Sequence, residues 1–132
     1  MLPTSDLVEA LTIGATQVIP IPDTPASVMG VCNWRGEVLW LVDLGNLLGD
    51  APIYSGTIQP NSLSVIVMRT HDTSLGLVVD HVTAMLWCDR AQITDSNPQS
   101  PAHRFLQGLW KAPQTSDVFL VLDSTAIQEH FD

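Results

Sequence analysis

The side chains able to do chemistry in this 132-residue chain are few and poorly grouped. His71, His81, His103 and His130 are scattered, and none stands in an H-E-x-x-H run or at another metal-ligand spacing. Cys32 and Cys88 have no Cys-x-x-Cys neighbour, and each lies in an apolar stretch, so both read as buried free thiols. No G-x-S-x-G elbow and no glycine-rich phosphate loop occurs. What remains is Asp43 and Asp80 with His81, a set that would suit a small acidic hydrolase or a ligand-binding barrel if the three converged. Neither aspartate is followed by the Ser/Thr-Gly of an aspartic protease half-site, and a strand-end aspartate ordinarily satisfies nearby backbone donors. The expectation is no catalytic residue, no cofactor and no metal.

Arg35 draws notice for a different reason. It follows Trp34 and precedes Gly36, with Trp40 five positions on, a composition enriched where proteins bind proteins. If Arg35-Gly36 is a two-residue hairpin loop, Trp34 faces Glu37, Cys32 faces Leu39, Val31 faces Trp40 and Gly30 faces Leu41. One face then collects Cys32, Leu39 and Leu41, the other Val31, Val38, Trp40 and Val42. With both faces apolar, either the hairpin is buried on both sides or one side is a contact surface.

The elements that must carry this hairpin are mostly strands. Val28–Trp34, Glu37–Asp43, Leu63–Arg69, Leu75–Trp87, Arg104–Trp110 and Asp117–Leu122 are rich in Val, Ile, Leu and Trp, with turn formers between them. Leu75–Trp87 is long enough to bend near Asp80–His81. Core packing is the expectation for Trp34, Trp40, Trp87 and Trp110. Three short helices are expected. Pro3–Leu11 has Asp6 and Glu9 at capping-box spacing, Leu44–Leu48 is one turn or two, and Ser124–Phe131 has Asp123 or Ser124 as its cap. Short connections favour an all-β small-barrel architecture over a parallel α/β sheet. Gly30, a hairpin, Leu41-Val42-Asp43 and a helix are echoed by Gly108, a hairpin, Val121-Leu122-Asp123 and the closing helix. Two similar subdomains would explain that repeat.

Composition narrows the partners. Apolar residues make up 45% of the chain and charged ones 14%, well below the roughly 25% usual in soluble domains, so a sizeable core is available. Fourteen acids against five bases give −9, and Lys111 is the lone lysine, a balance that repels nucleic acid and anionic membrane. No apolar run nears the roughly 18 residues of a membrane helix, and no basic, apolar leader is visible. The expectation is one cytoplasmic domain over residues 1–132, without membrane insertion and with a protein partner.

Ile19-Pro20-Ile21-Pro22-Asp23-Thr24-Pro25, leading into Gly30-Val31-Cys32-Asn33-Trp34-Arg35-Gly36 and Leu41-Val42-Asp43-Leu44, resembles the central signature of the CheW-like domain family. Leu75–Val82, Phe105–Leu109 and Val118–Asp123 are similar to later stretches of that family, in order, so the resemblance runs from Leu2 to Phe131. It implies two intertwined, five-stranded SH3-like barrels. It also implies a non-catalytic scaffold of bacterial chemotaxis-type signalling that couples the cytoplasmic tip of a chemoreceptor to the regulatory domain of a sensor histidine kinase. In this resemblance Arg35 holds the family's functional arginine position, Glu9 a glutamate linked to it and to partner binding, and Leu7 the adjoining apolar position. With Trp34, Trp40, Val31 and Val38 these form the expected partner-binding set, the proximity of Glu9 to Arg35 being implied by the family alone. Trp40 stands where most members have proline, and Trp34 replaces an aliphatic residue. The family's opening strands, which precede the Leu2-Pro3 segment, are missing. The expectation is therefore an N-terminally shortened domain whose first barrel lacks strands and which self-associates there. A regulatory module cut from a larger histidine kinase is the other reading of that shortfall.

Overall fold

Alternation of apolar and polar side chains drives most of the chain into strands. The computed structural model describes residues 1–3, 7–53, 60–70, 73–83 and 85–131, and among them it shows seven strands and two short α-helices. The chain divides into two units, one of Leu7–Val82 and a terminal unit that gathers both chain ends, Met1–Asp6 with Thr83–Asp132. The mostly β architecture with a repeated subdomain is the one expected from the sequence.

The first unit holds β1 (Leu7–Gly14), β2 (Val28–Trp34), β3 (Glu37–Asp43), α1 (Leu44–Leu47), β4 (Ser62–Thr70) and β5 (Thr73–Val79). They form a five-stranded sheet in the order β1-β4-β5-β3-β2, antiparallel except for the parallel β3–β5 pair. Period-two alternation turns Ile13, Cys32, Trp34, Leu39, Leu41, Leu63, Val65 and Val67 inward, where with Val78 they make one core cluster. The β2–β3 register is the anticipated one: Trp34 opposite Glu37, Cys32 opposite Leu39, Val31 opposite Trp40, Gly30 opposite Leu41.

Two expectations are corrected here. The helix anticipated over Pro3–Leu11 is instead β1, which pairs antiparallel with β4 from Leu7↔Met68 to Gly14↔Ser62. Val8, Thr12 and Ile13 are β-branched, and β4 offers a full ladder plus burial for Ile13, which outweighs the single apolar helix face. Asp6, the proposed cap of that helix, lies outside the described residues, as do His71 and part of the β4–β5 turn. The second correction concerns Leu75–Trp87. Its ladder stops at Val79, and Val82, Met85, Leu86 and Trp87 beyond it are exposed, Trp87 by 98%. A strand needs a partner edge, which composition cannot supply. Trp87 is therefore not a core residue, whereas Trp34 and Trp110 are.

The terminal unit holds β6 (Leu106–Lys111), β7 (Val118–Leu122) and α2 (Ser124–Phe131). Its sheet has two strands. Phe105, Trp110, Val121, Leu122 and Ile127 are buried, and Asp123 is the cap of α2, its Oδ1 accepting from the Ala126 N–H at 3.0 Å.

The internal repeat extends to atoms. Gly30 (φ 143°) and Gly108 (φ 154°) both lie in the positive-φ region, and each sits beside a register shift of its hairpin. An added Cβ would meet the Ile19 carbonyl oxygen at 2.3 Å in one case and that of Thr94 at 2.2 Å in the other. Those two residues make the isolated bridges Ile19↔Val31 and Thr94↔Leu109. Downstream, Asp43 N–H donates to the Ser27 carbonyl and Asp123 N–H to that of Phe105, and each aspartate then starts a helix.

Candidate functional site

The β2–β3 turn is tight because two consecutive residues take positive φ, Arg35 at 52° and Gly36 at 79°. This is the two-residue hairpin geometry whose twist matches its strands, and Asn33 supports it by accepting the Gly36 N–H on Oδ1 at 3.0 Å. Glycine suits that region; a long arginine in it costs about 1–2 kcal/mol, and such residues cluster at functional sites. The turn projects Arg35 outward, with 62% of its side chain exposed.

Glu9 fixes where that guanidinium goes. From β1 its Oε2 accepts from Arg35 Nη2 at 2.6 Å, while its Oε1 accepts from the Trp34 indole Nε1 at 2.8 Å. The Arg35 guanidinium carbon also sits 5.0 Å from the centre of the Trp34 ring. One carboxylate thus clasps a buried indole and an exposed cation, joining β1 and β2, the two ends of the sheet order. The Trp34 hydrogen bond is the main cause holding the Glu9 carboxyl below the ordinary glutamate range. Desolvation opposes it, and the Arg35 charge and hydrogen bond reinforce it.

Beside the clasp, the outer face of the hairpin is apolar. Val38 is 69% exposed and Trp40 42%, with Val31 half-buried between the strands. Val42, expected on the same face, is fully buried, so the patch ends at Trp40. Leu7 and Val8 of β1 are partly exposed. Trp34 is corrected as a contact residue: its ring belongs to the core, and it serves the tip only by orienting Glu9. The sequence reading missed Ile19, exposed and bridged to Val31, which widens the apolar surface. The Ile-Pro-Ile-Pro run that carries it was read only as a family signature.

The rival constellation does not assemble. Asp43 is buried, with Oδ1 accepting from the Asn46 N–H at 3.2 Å and Oδ2 from the Ile53 N–H at 2.8 Å, so its carboxylate closes local backbone. Asp80 and His81 are exposed after the end of β5. Among the described residues no group of three or more His, Cys, Asp or Glu is placed to hold a metal. A cleft of about 650 Å³ at Gln92 and Lys111–Ser116 offers Lys111 as its one ionisable side chain. Both cysteines are free, and burial pushes the Cys32 thiol pKa up, away from nucleophilic use; Cys88 is only partly buried.

A family model described as the CheW-like domain matches residues 1–131. The chain is 27% identical over 113 residues to a chemotaxis protein CheW of Thermotoga maritima, covering 86% of this chain and 72% of that one. A chemotaxis protein CheW of Rhizobium meliloti is 36% identical over 74 residues, covering 55% of this chain and 44% of the relative. Among solved structures, the scaffolding protein TtCheW of Thermoanaerobacter tengcongensis superposes with a TM-score of 0.75 at 22% identity, over 93% of this chain and 75% of that one, a likeness of fold.

Proposed function

Because the chain belongs to the CheW-like domain family, we propose that it is a non-catalytic adaptor of a chemotaxis-type signalling system, joining a chemoreceptor's cytoplasmic tip to the regulatory domain of a sensor histidine kinase. The observation that carries this reading is the Glu9–Trp34–Arg35 clasp. It presents a fixed, exposed guanidinium at the rim of an apolar face, the composition of a binding hot spot. Arg35 is the anchor in this reading, Glu9 sets its direction, and Val31, Val38, Trp40 and Leu7 supply apolar contact. Trp40, flat and half-exposed, is the natural determinant of which partner is accepted. In this reading the Asp43 carboxylate serves structure, accepting from the Asn46 and Ile53 N–H groups. No helix among the described residues is long and apolar enough to cross a membrane. The same reading takes residues 1–132 as one domain that self-associates.

Isothermal calorimetry against a cognate kinase regulatory domain tests the adaptor role. Arg35→Glu places a carboxylate beside Glu9 and is expected to weaken binding at least tenfold, about 1.4 kcal/mol. An affinity within twofold of wild type, with the fold intact, would remove Arg35 from the site. A folded wild-type chain that binds neither kinase domain nor receptor tip would refute the adaptor role itself.

A further inference from the structure

The five-stranded unit is poor in cations and keeps both of its own at one end. Between Leu7 and Val82 the chain has seven acidic residues, no lysine and two arginines, Arg35 and Arg69. Far apart in sequence, these two are brought together through Trp34. On one side of that residue Glu9 holds both the indole and Arg35. On the other, Trp34 lies opposite Glu37 in the β2–β3 ladder, and Glu37 Oε2 stands 4.0 Å from Nη2 of Arg69 on β4. Directly opposed residues of antiparallel strands have Cβ atoms only about 4.5–5.5 Å apart. Arg35, Glu9, Trp34, Glu37 and Arg69 therefore form one row at this end of the unit. Everywhere else its formal charges are acidic.

The two guanidinium groups are held differently. Arg35 is fixed by its 2.6 Å bond to Glu9 and by the Trp34 ring. Arg69 is oriented through Nε, which donates to Ser74 Oγ at 3.0 Å on the neighbouring β5, while its link to Glu37 is at the outer limit of an ion pair. A guanidinium anchored through Nε turns its two terminal nitrogens away from the anchor, and that fork matches a carboxylate. The Arg69 side chain is 47% exposed and that of Glu37 64%, and a pair so long and so open contributes little to stability. We propose that Arg69 is a second anchor of the partner-binding end, and that the partner meets Arg35 and Arg69 with two acidic side chains of its own. The inference rests on the adaptor reading above and names the chemistry of the partner's surface. Charge complementarity selects that occupant: on this unit a carboxylate is attracted at one end alone, which fixes the direction of docking. Glu37, loosely engaged and open to solvent, is the group that a partner carboxylate displaces from Arg69.

Calorimetry of the full chain with the cognate kinase regulatory domain tests this. Arg69→Gln should weaken binding about fivefold and Arg69→Glu by more, each with its fold intact by circular dichroism. The gap between wild type and Arg69→Gln should shrink as added salt screens it. Glu37→Gln should bind at least as tightly as wild type, because it removes the carboxylate that competes for Arg69; a pair with only a structural role would give a loss instead. Affinities of both Arg69 variants within about twofold of wild type overturn the proposal. So does a gap that salt leaves unchanged, or a Glu37→Gln chain that binds more weakly than wild type. If Arg35→Glu weakens binding and the Arg69 variants do not, the second anchor falls and the adaptor reading stands. A folded wild type that binds neither kinase domain nor receptor tip removes both.

Discussion

The five-stranded unit and the terminal unit share a local device and differ in what surrounds it. Each has a positive-φ glycine against an isolated bridge, a hairpin, and an aspartate that ends the second strand and caps a helix. Around the first, β1, β4 and β5 complete a sheet; around the second, β7 pairs with β6 in a two-stranded sheet and bonds Met1 through Leu120 and Leu122. The two indole clasps differ in the same direction. Trp34 is held by a carboxylate at 2.8 Å that also holds Arg35, whereas Trp110 is held by the neutral Gln92 side chain at 3.2 Å. The unit with the complete sheet presents an organised cation, and the unit with the short sheet presents open apolar surface. The comparison teaches that a duplicated device secures a hairpin, while the strands packed around it decide what that hairpin exposes.

Five substitutions probe how far the likeness goes. The largest effect belongs to the glycines. Gly30→Ala and Gly108→Ala each drive a Cβ into a carbonyl oxygen and force an unfavourable φ, so each should destabilise by about 3 kcal/mol or more in denaturant unfolding. If one were tolerated within about 0.5 kcal/mol, the change range of an innocuous surface site, the devices would not be equivalent.

Next come the aspartates. Asp43→Ala strands two backbone donors, at Asn46 and Ile53, and should cost about 2–4 kcal/mol. Asp123→Ala removes a cap bond to Ala126 and should cost about 1 kcal/mol by the same measurement. Equal losses would mean that the extra Ile53 bond contributes nothing.

The smallest effect, and the most discriminating, is Glu9→Gln, which converts the charged clasp into the kind found at Gln92. The Glu9 carboxyl titrates lower in the folded chain than in the unfolded one. Its contribution is therefore complete above the ordinary glutamate value and lost as pH falls through the folded value. The stability gap between wild type and Glu9→Gln should be present at neutral pH and shrink on acidification; a gap that widened instead would reverse the sign assigned to the clasp.

Much of the fold was legible along the chain. The β2–β3 register followed from placing a two-residue loop at Arg35-Gly36, because period-two alternation leaves one pairing that buries Cys32, Leu39 and Leu41 together. The repeat was legible because its glycine and aspartate are each demanded by backbone geometry that few residues satisfy. β1 was not: Leu7 and Leu11 suit a helix face as well as a strand, and only the β4 edge decides between them. The end of β5 was hidden for the same reason, since Val82–Trp87 reads as strand until one asks what it pairs with.

The candidate site divides likewise. Residue types alone marked the Trp34-Arg35 tip and the apolar Val31, Val38 and Trp40. They could not tell that Trp34 faces the core, that Val42 is covered or that Ile19 joins the patch. Nor could spacing bring Glu9 to Arg35, 26 residues away. Local geometry and alternation depend on neighbours in sequence, so the chain by itself determined its hairpins, turns, caps and repeat. Which strand finds an edge, which apolar face is left in water and which carboxylate meets which cation depend on segments far apart in sequence, and those the tertiary structure decided.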